Sequence, residues 1–195
     1  MMHPSPLQSR SLLHLLVEMY GQQGDRRYGL AELNQRTHAV QAAALAQAQG
    51  EPSAMVVAAL LHDIGHMLHG LGEHPAARGV DDQHEQVGAN WLAQYFGPEV
   101  VEPVRLHVAA KRYLCATDPG YLSLLSRDSL ESLALQGGPM RAPEQQVFRS
   151  RAGWRNAVAL RRLDEEAKDP NGPAPDFSVF HDLIVSNHQS FLDTR

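Results

Sequence analysis

The chain has 195 residues, of which 43% are hydrophobic and 20% charged, so it can form a core and disorder is excluded as a global description. Its formal net charge of -5 argues against a general nucleic-acid surface or an anionic-membrane surface, because both need clustered basic residues. The arginines within 149–162 are accordingly expected on a solvated helix face. The longest apolar run, 54–61, is far shorter than the roughly 20 residues that cross a bilayer. No secretory signal is expected, so we predict a cytoplasmic protein.

Apolar residues recur at three- and four-residue intervals almost throughout the sequence, which predicts an all-α fold. Capping residues, glycines and prolines mark the ends of the helical segments. In chain order, we predict helices over 12–20, 33–49, 52–68, 81–96, 98–114, a short segment after Pro119, 126–136, 154–167 and 177–187.

Prolines and aspartates predict three details of these helices. Pro52 is expected in the first turn of the third helix, where its missing N–H would have been unpaired anyway. Asp81 or Asp82 is expected to cap the fourth helix. Pro103 is expected to kink the fifth helix or to mark its true start. The stretch 71–80 is predicted to be a loop because of its glycines and proline, and it could act as a lid.

Histidine is the unusual component of this sequence, with 11 residues. His62 and Asp63 end an apolar segment, and burying an imidazole beside a carboxylate there is costly unless the two are paired or bind a metal. His38, His62, His84 and His107 are spaced by 24, 22 and 23 residues, and each is predicted on a different helix. Helical bundles build metal sites from inward-facing ligands of this kind.

Asp164, in the predicted helix 154–167, could complete a set of four imidazoles and two carboxylates. The single cysteine, Cys115, excludes a sulfur-built site, so a metal would use nitrogen and oxygen donors. Such donors favour iron or manganese, and zinc less. Two ions are expected, because six protein ligands over-supply one octahedral ion that must also hold substrate. Each histidine taken alone also fits an ordinary hydrogen-bonded core residue.

The histidine pattern and the sequence around it resemble a known family. Resemblance to the HD-domain superfamily of metal-dependent phosphohydrolases and oxygenases rests on His38, the run LHDIGH at 61–66, His84, His107 and Asp164. A closer resemblance to the phosphonate-cleaving mixed-valent diiron oxygenases, relatives of myo-inositol oxygenase, rests on 83–85, 104–114 and 132–140. The resemblance covers 28–168. It implies a single HD domain over 1–195, an all-α helical bundle whose N- and C-terminal helices pack on this core.

The resemblance implies a cofactor of two iron ions in the mixed-valent Fe(II)/Fe(III) state, with O2 as co-substrate. The ligands that it implies for the first iron are His38, His62, Asp63 and Asp164. For the second iron they are His84 and His107, with Asp63 as the bridge between the two ions.

The resemblance also implies residues that contact the substrate. Lys111 would meet the phosphonate oxygens as a cation, and Ser129 and Gln136 would be further phosphonate ligands. His66 would act beside the metals as an acid, a base or a hydrogen-bond donor. Tyr28 would contact the tail of the substrate.

The activity implied by the resemblance is O2-dependent oxidative cleavage of the C–P bond of a 1-hydroxyalkylphosphonate to a carboxylic acid and phosphate. The expected small-molecule substrate is of the 2-amino- or 2-trimethylammonio-1-hydroxyethylphosphonate type. Family members that take the 2-amino compound carry a glutamate three residues after the tyrosine, where this chain has Ala31. An N-methylated ammonium or a tail without an amine fits this departure. The exact substrate and the oligomeric state stay open.

Two alternatives remain for the function. A metal-dependent HD-domain phosphohydrolase acting on a nucleotide or another phosphomonoester would use the same fold. A sensory or binding module would keep the fold without catalysis. Such a module is expected to lose metal ligands, and all six positions are intact in this chain.

Overall fold

The computed structural model describes residues 6–27 and 33–189. Within these ranges the chain is helical and forms no strand, which confirms the all-α prediction. The α-helices are α1 (Pro6–Gln23), α2 (Gln35–Ala48), α3 (Ser53–Leu61), α4 (Gly65–Leu68), α5 (His84–Leu92), α6 (Pro98–Thr117), α7 (Arg127–Leu135), α8 (Ala142–Ser150), α9 (Trp154–Glu166) and α10 (His181–Asn187). Short 3-10 helices span Ala76–Arg78, Tyr121–Leu124 and Phe177–Phe180. None of the helices described is long and apolar enough to cross a membrane.

Helix α3 lies at the centre of the bundle. Every residue from Met55 to Leu61 is buried, because this segment is apolar on all its faces and can be covered only by neighbours on every side. Its neighbours are α2, α6, α9 and α10. The C-terminal end of α3 therefore delivers His62 and Asp63 into the interior rather than to the surface.

Helices α6 and α9 pack along each other, and α5 packs against both α4 and α6. This arrangement brings together side chains that are far apart in the sequence. His38 lies on α2, His84 is the first residue of α5, His107 lies on α6 and Asp164 lies on α9. The bundle thus directs one chemistry-bearing residue from each of four helices towards the end of α3.

The third predicted helix, 52–68, is divided in the structure. Helix α3 ends at Leu61 and α4 begins at Gly65, and the backbone between them forms hydrogen bonds three residues apart, such as Ile64 N to Leu61 O at 3.1 Å. Apolar periodicity does not separate this tighter winding from an α-helix, so the prediction missed it. Pro52 is also not in the first turn, because it precedes the helix with extended backbone (φ -56°, ψ 150°).

The fourth predicted helix, 81–96, is shorter in the structure. Helix α5 begins at His84, and Gln83 before it has left-handed backbone with φ 49°. Asp82 is not the residue at the cap position, but its Oδ1 accepts the backbone N–H of His84 at 3.3 Å. The Asp82 carboxylate therefore accepts an otherwise unpaired N–H in the first turn of α5. It does so from the position before the N-cap, whereas an aspartate was predicted at the N-cap itself.

Two further elements differ from the predictions. Helix α6 begins at Pro98 and continues through Pro103 to Thr117, so Pro103 marks no helix start. Helix α8 was not predicted, because the segment has few apolar residues. Its start does carry the signals of a helix, with a proline in the first turn and Glu144 accepting the backbone N–H of Arg141 at 3.0 Å.

Candidate metal centre and anion pocket

Two groups of histidine and aspartate side chains meet at the end of α3. The first triad consists of His38, His62 and Asp164. The Nε2 atoms of the two histidines lie 3.3 Å apart, and Asp164 Oδ1 lies 3.2 Å from His38 Nε2 and 3.6 Å from His62 Nε2. All three residues are buried, so the triad faces no bulk water.

The second triad consists of Asp63, His84 and His107. The Nε2 atoms of His84 and His107 lie 3.1 Å apart. Asp63 Oδ1 lies 3.5 Å from His84 Nε2 and 3.8 Å from His107 Nε2. Both histidines are buried, and Asp63 is the most accessible member of the set at 13% side-chain exposure.

Asp63 lies between the two triads. Its Oδ2 is 3.8 Å from His38 Nε2, and its Oδ1 is 3.5 Å from His62 Nε2. The same carboxylate therefore faces histidines of both groups, which is the placement that a carboxylate bridging two ions requires. The structure thus brings the six predicted metal ligands together.

Hydrogen bonds at Nδ1, the ring nitrogen that does not face the cluster, orient three of the four histidines. The Nδ1–H of His62 donates to the carbonyl of Ala59 at 2.8 Å, and that of His107 donates to the carbonyl of Val104 at 2.7 Å. A carbonyl can only accept, so Nδ1 carries the proton in both rings. His84 Nδ1 contacts Asp82 Oδ1 at 2.8 Å in the same way. The Nε2 lone pairs are thereby directed into the cluster, where a metal can use them.

The donor set fits two ions that prefer nitrogen and oxygen. Donors bound at about 2.1 Å to one ion lie about 3 to 3.5 Å apart, close to the separations within each triad. Burial lowers the pKa of His107 well below its usual value, and the charges of His84 and His62 reinforce this effect. Low pKa favours the neutral imidazole, which is the form that binds metals.

A cavity of about 90 Å³ adjoins this cluster. Its floor includes Asp63, His84, His107 and Asp164. One wall carries basic, hydroxyl and amide side chains from α6, from α7 and its end, and from α9 and the residues that follow it, and the loop between α4 and α5 forms another part of the lining. The lining side chains of the first wall are Lys111, Ser129, Ser132, Gln136, Arg161 and Lys168. Asp128 and Glu131 of α7 also line the cavity.

A family model described as the HD domain matches residues 13–146 of the chain. The chain belongs to the HD-domain family. Asp164 lies beyond the matched segment, and the structure brings it to the two histidines of the first triad.

Three relatives align with most of this HD-domain chain. It is 37% identical over 180 residues to the [1-hydroxy-2-(trimethylamino)ethyl]phosphonate dioxygenase (glycine-betaine-forming) of Leisingera caerulea, and the alignment covers 92% of each protein. It is 42% identical over 174 residues to the hydroxymethylphosphonate dioxygenase of Gimesia maris, with 88% of this chain and 85% of the relative covered. An uncharacterized protein of Acanthamoeba polyphaga mimivirus is 30% identical over 176 residues, covering 89% and 80%. Two of these relatives are thus named as phosphonate dioxygenases.

Lys111 is buried in the wall of the HD-domain pocket, with 3% exposure. Its Nζ donates to Ser132 Oγ at 2.8 Å. Burial lowers the pKa of Lys111 to about 7, and the positive charges of Arg161 and Lys168 act in the same direction. The ammonium is therefore held in surroundings that an anion would stabilise.

Arg161 and Ser129 form the centre of a buried network beside Lys111. Arg161 donates to Ser129 Oγ at 3.0 Å and forms ion pairs with Asp164 and Glu165. Lys168 Nζ also donates to Ser129 Oγ at 3.0 Å. The prediction that the arginines of this region lie on a solvated face is wrong for Arg161, which is 4% exposed. Its position three residues before Asp164, one helical turn away, was the available sequence signal.

The remaining predicted site residues have different outcomes. Gln136 ends α7 and lines the pocket, with its Oε1 buried. His66 also lines the pocket, and its Nε2 lies 3.9 Å from Asp63 Oδ1. Tyr28 and Ala31 lie outside the described residues. Only a capping role is predicted for Asp82 from the sequence, whereas its carboxylate contacts the rings of His66 and His84.

The loop predicted over 71–80 forms part of the pocket wall. His74, Pro75, Ala76 and Val80 line the cavity, and the 3-10 helix Ala76–Arg78 packs against α7. Arg78 donates to the carbonyls of Leu71 at 2.6 Å and Glu73 at 2.8 Å, which ties the loop to itself. The loop thus contributes part of the lining of the cavity beside the histidine and aspartate cluster.

Proposed function

We propose that this protein is an O2-dependent enzyme that cleaves the C–P bond of a 1-hydroxyalkylphosphonate. In the balanced reaction, the substrate dianion and one O2 yield a carboxylate, hydrogen phosphate and one proton. The proposal is supported by the names of two relatives that align over most of the chain, both of which are phosphonate dioxygenases.

One observation carries the proposal. The histidine and aspartate cluster and the basic side chains of Lys111, Arg161 and Lys168 line the same cavity. A phosphonate held by Lys111 would lie over Asp63, because both side chains line one small cavity. Its hydroxyl-bearing carbon would then be next to the two triads. A site with only the histidine and aspartate cluster would bind a metal, and a site with only the basic side chains would bind an anion. Neither would place the anion beside the metal.

We propose two iron ions as the cofactor, in the Fe(II)/Fe(III) state. Four imidazoles and two carboxylates, with no sulfur, suit iron, and the two triads offer one position each. The proposed ligands are His38, His62, Asp63 and Asp164 for one ion, and Asp63, His84 and His107 for the other. Bound iron would supply the redox chemistry with O2, which no side chain of this chain can perform.

The phosphonate group would be bound by Lys111 and Ser129. Lys111 offers a charge-assisted hydrogen bond, which is stronger than a neutral one, and the Ser129 hydroxyl lies within the same wall. Gln136 would add an amide N–H at the end of α7. Arg161 donates to Ser129 and pairs with Asp164, so it would hold both the anion wall and a metal ligand in place.

His66 and the loop 71–80 would act on the hydroxyl end of the substrate. His66 Nε2 lies near the Asp63 carboxylate, where it could accept or return the proton of the substrate hydroxyl. The loop would exclude bulk water from the cavity, which strengthens every ion pair inside it. Tyr28 is proposed to contact the substrate's tail.

The test is anaerobic reconstitution with iron, partial oxidation, and low-temperature EPR with three 1-hydroxyalkylphosphonates. The three substrates carry a 2-amino group, a 2-trimethylammonio group and no tail. A coupled Fe(II)/Fe(III) signal that one compound perturbs, followed by phosphate release that matches O2 consumption, is the expected result. Metal-dependent phosphate release from a phosphomonoester without O2, and none from the phosphonates, would show a phosphohydrolase instead.

A further inference from the structure

Asp82 joins three imidazoles beside the metal cluster. Its Oδ1 lies 2.8 Å from His84 Nδ1, and its Oδ2 lies 2.8 Å from His66 Nδ1 and 3.2 Å from His69 Nε2. The side chain of Asp82 is only 7% exposed. The Asp82 carboxylate thus contacts His84, a candidate metal ligand, and His66, a candidate acid or base. It also contacts His69, three residues after His66.

The chemistry of an ionised carboxylate determines which nitrogen carries the proton. Both oxygens of Asp82 can only accept, and the contact of Oδ1 with His84 Nδ1 has hydrogen-bond geometry, so His84 Nδ1 carries a proton. The contact of Oδ2 with His66 Nδ1 is an ion-pair contact without hydrogen-bond geometry. The opposite nitrogen of His84, Nε2, is the one left for a metal. His84 Nε2 points to His107 Nε2 at 3.1 Å, and His66 Nε2 points to Asp63 Oδ1 at 3.9 Å.

The two rings held by Asp82 are also stacked. The centroids of His66 and His84 lie 3.9 Å apart, with an interplanar angle of 21°. A carboxylate has two oxygens, and Asp82 presents one to each ring. Parallel rings with their Nδ1 atoms on the same side are the arrangement that such a carboxylate can bind with both oxygens.

His69 extends this arrangement to the loop that covers the pocket. His69 ends α4, and Asp82 lies just before α5, so the two residues stand at the two ends of the loop. Their contact at 3.2 Å closes the base of the loop. The group that orients His84 is therefore also the group that fixes the base of the pocket wall.

We propose that Asp82 is a positioning residue that holds the His84 ring with its Nδ1–H on Asp82 Oδ1 and its Nε2 directed at the site, and that keeps the His66 ring stacked against His84. The part of this inference that concerns metal binding rests on the proposed function. The part that concerns the protonated nitrogen of His84 does not depend on the proposed function. Because the second triad depends on His84, loss of Asp82 should weaken one of the two ions and not the other.

The test compares Asp82→Asn with Asp81→Asn as the matched control. Asparagine has nearly the same shape, but it has a single acceptor oxygen and an NH2 group that can only donate, so it cannot accept from both rings. Asp81 is exposed and next to Asp82, and the same substitution removes the same charge. Melting temperatures of the metal-free proteins establish that both variants fold.

The first measurement is a long-range 1H–15N spectrum of the histidine rings in the metal-free protein. The wild type and Asp81→Asn should show a protonated, hydrogen-bonded Nδ1 in His84, and Asp82→Asn should change the His84 signals. The second measurement is calorimetric titration with Mn2+. Asp82→Asn should bind one ion as the wild type does and the other 10–100-fold more weakly, which is the usual effect of losing such a partner.

Two outcomes would overturn the inference. One is an Asp82→Asn protein with wild-type tautomers and two wild-type affinities. The other is an equal effect of Asp81→Asn, which would assign the change to charge alone. If Asp82→Asn does not fold, Asp82→Glu keeps both acceptors and should retain the protonated, hydrogen-bonded Nδ1 of His84. A wild type with the expected tautomers but without phosphonate cleavage would contradict the proposed function and leave this inference standing.

Discussion

At the scale of single residues, the metal cluster depends on where its neighbours place the ring protons. Ala59 and Val104 accept from His62 and His107 through carbonyls of the preceding helical turn. These hydrogen bonds connect residues three apart, so any helix with these histidines can form them. The orientation of two rings is therefore local, whereas the meeting of the four rings depends on how the helices pack.

Asp63 is expected to be more important for metal content than any single histidine. It faces both triads, so Asp63→Ala should bind neither ion, whereas His107→Ala should retain the ion of the first triad. Iron per chain after reconstitution, measured by mass spectrometry, checks both. His14→Ala is the control, because His14 is exposed and far from the cluster in sequence. Two ions bound to Asp63→Ala would contradict the assignment of a bridge.

Lys111 predicts a pH dependence of substrate binding. With a pKa of about 7, the free enzyme loses the ammonium as pH rises through that value, and the loss of its charge weakens the binding of a phosphonate anion. The charged groups around it are Arg161, Lys168, Asp164 and Glu165. We expect kcat/KM to fall by up to about tenfold per pH unit above 7, because one proton is lost.

The matched variant for this prediction is Lys111→Arg, because a guanidinium stays protonated over the whole range. Its profile should lack the fall assigned to Lys111, while any effect of the substrate's own ionisation remains in both profiles. Lys111→Met should raise KM about 10–100-fold at pH 6, as expected for the loss of a charge-assisted hydrogen bond. Identical profiles for wild type and Lys111→Arg would refute the role of Lys111.

At the scale of elements, the site depends on the close approach of α4 to α5. A Cβ on Gly65 would lie 1.9 Å from the carbonyl oxygen of His84, which is far inside any permitted contact. Gly65 therefore allows the backbone of α5 to lie directly against α4, and this contact fixes the position of His84. The glycine is required by packing rather than by its backbone angles.

Gly65→Ala is predicted to destabilise the protein and to displace His84. We expect the free energy of unfolding to fall by about 1–3 kcal/mol, as in overpacked cores, together with loss of metal from the second triad. Gly21→Ala is the control, because a Cβ there meets nothing within 4 Å. Since Gly21 lies inside α1, its replacement should raise stability by about 0.5–1 kcal/mol. Urea unfolding checks both, and an unchanged Gly65→Ala protein would refute the packing argument.

At the scale of the whole molecule, the six candidate ligands connect α2, α3, α5, α6 and α9. The ligands are spread over the sequence from His38 to Asp164, so an unfolded chain does not hold the six side chains together. A metal that binds only the folded state stabilises it by about 2.7 kcal/mol per site at a free concentration of 100 Kd. The cofactor would therefore act as a link across the bundle as well as in catalysis.

Chelation is accordingly predicted to lower the melting temperature of the loaded protein. Two unequal steps are expected in a metal titration if the triads bind independently. Calorimetric melting with and without chelator measures the effect, and Asp63→Ala should melt at one temperature under both conditions. A loaded wild type that melts with its chelated form would contradict metal binding to the folded cluster.

The sequence predicted much of the fold and of the candidate site, and the misses have identifiable causes. The helical pattern and the residues of the cluster were accessible because both depend on local spacing and on residue chemistry. The division of 52–68 was missed, because three-residue and four-residue hydrogen bonding produce nearly the same apolar pattern. Arg161 was assigned to the surface, because its burial depends on partners such as Glu165 and Tyr121, and Tyr121 is 40 residues away in sequence.

By itself, the sequence determined that the chain is all-α, that its donors are nitrogen and oxygen, and which residues could carry the chemistry. The first two properties follow from composition and from periodicities of three to four residues, and the site residues follow from the spacing of the histidines together with the resemblance to a known family. Only the tertiary structure decided that Asp63 faces both triads, that Lys111 is buried beside them, and that Asp82 contacts the stacked rings of His66 and His84. Each of these depends on the angle and depth at which helices pack, which are set by contacts between segments that local sequence patterns do not encode.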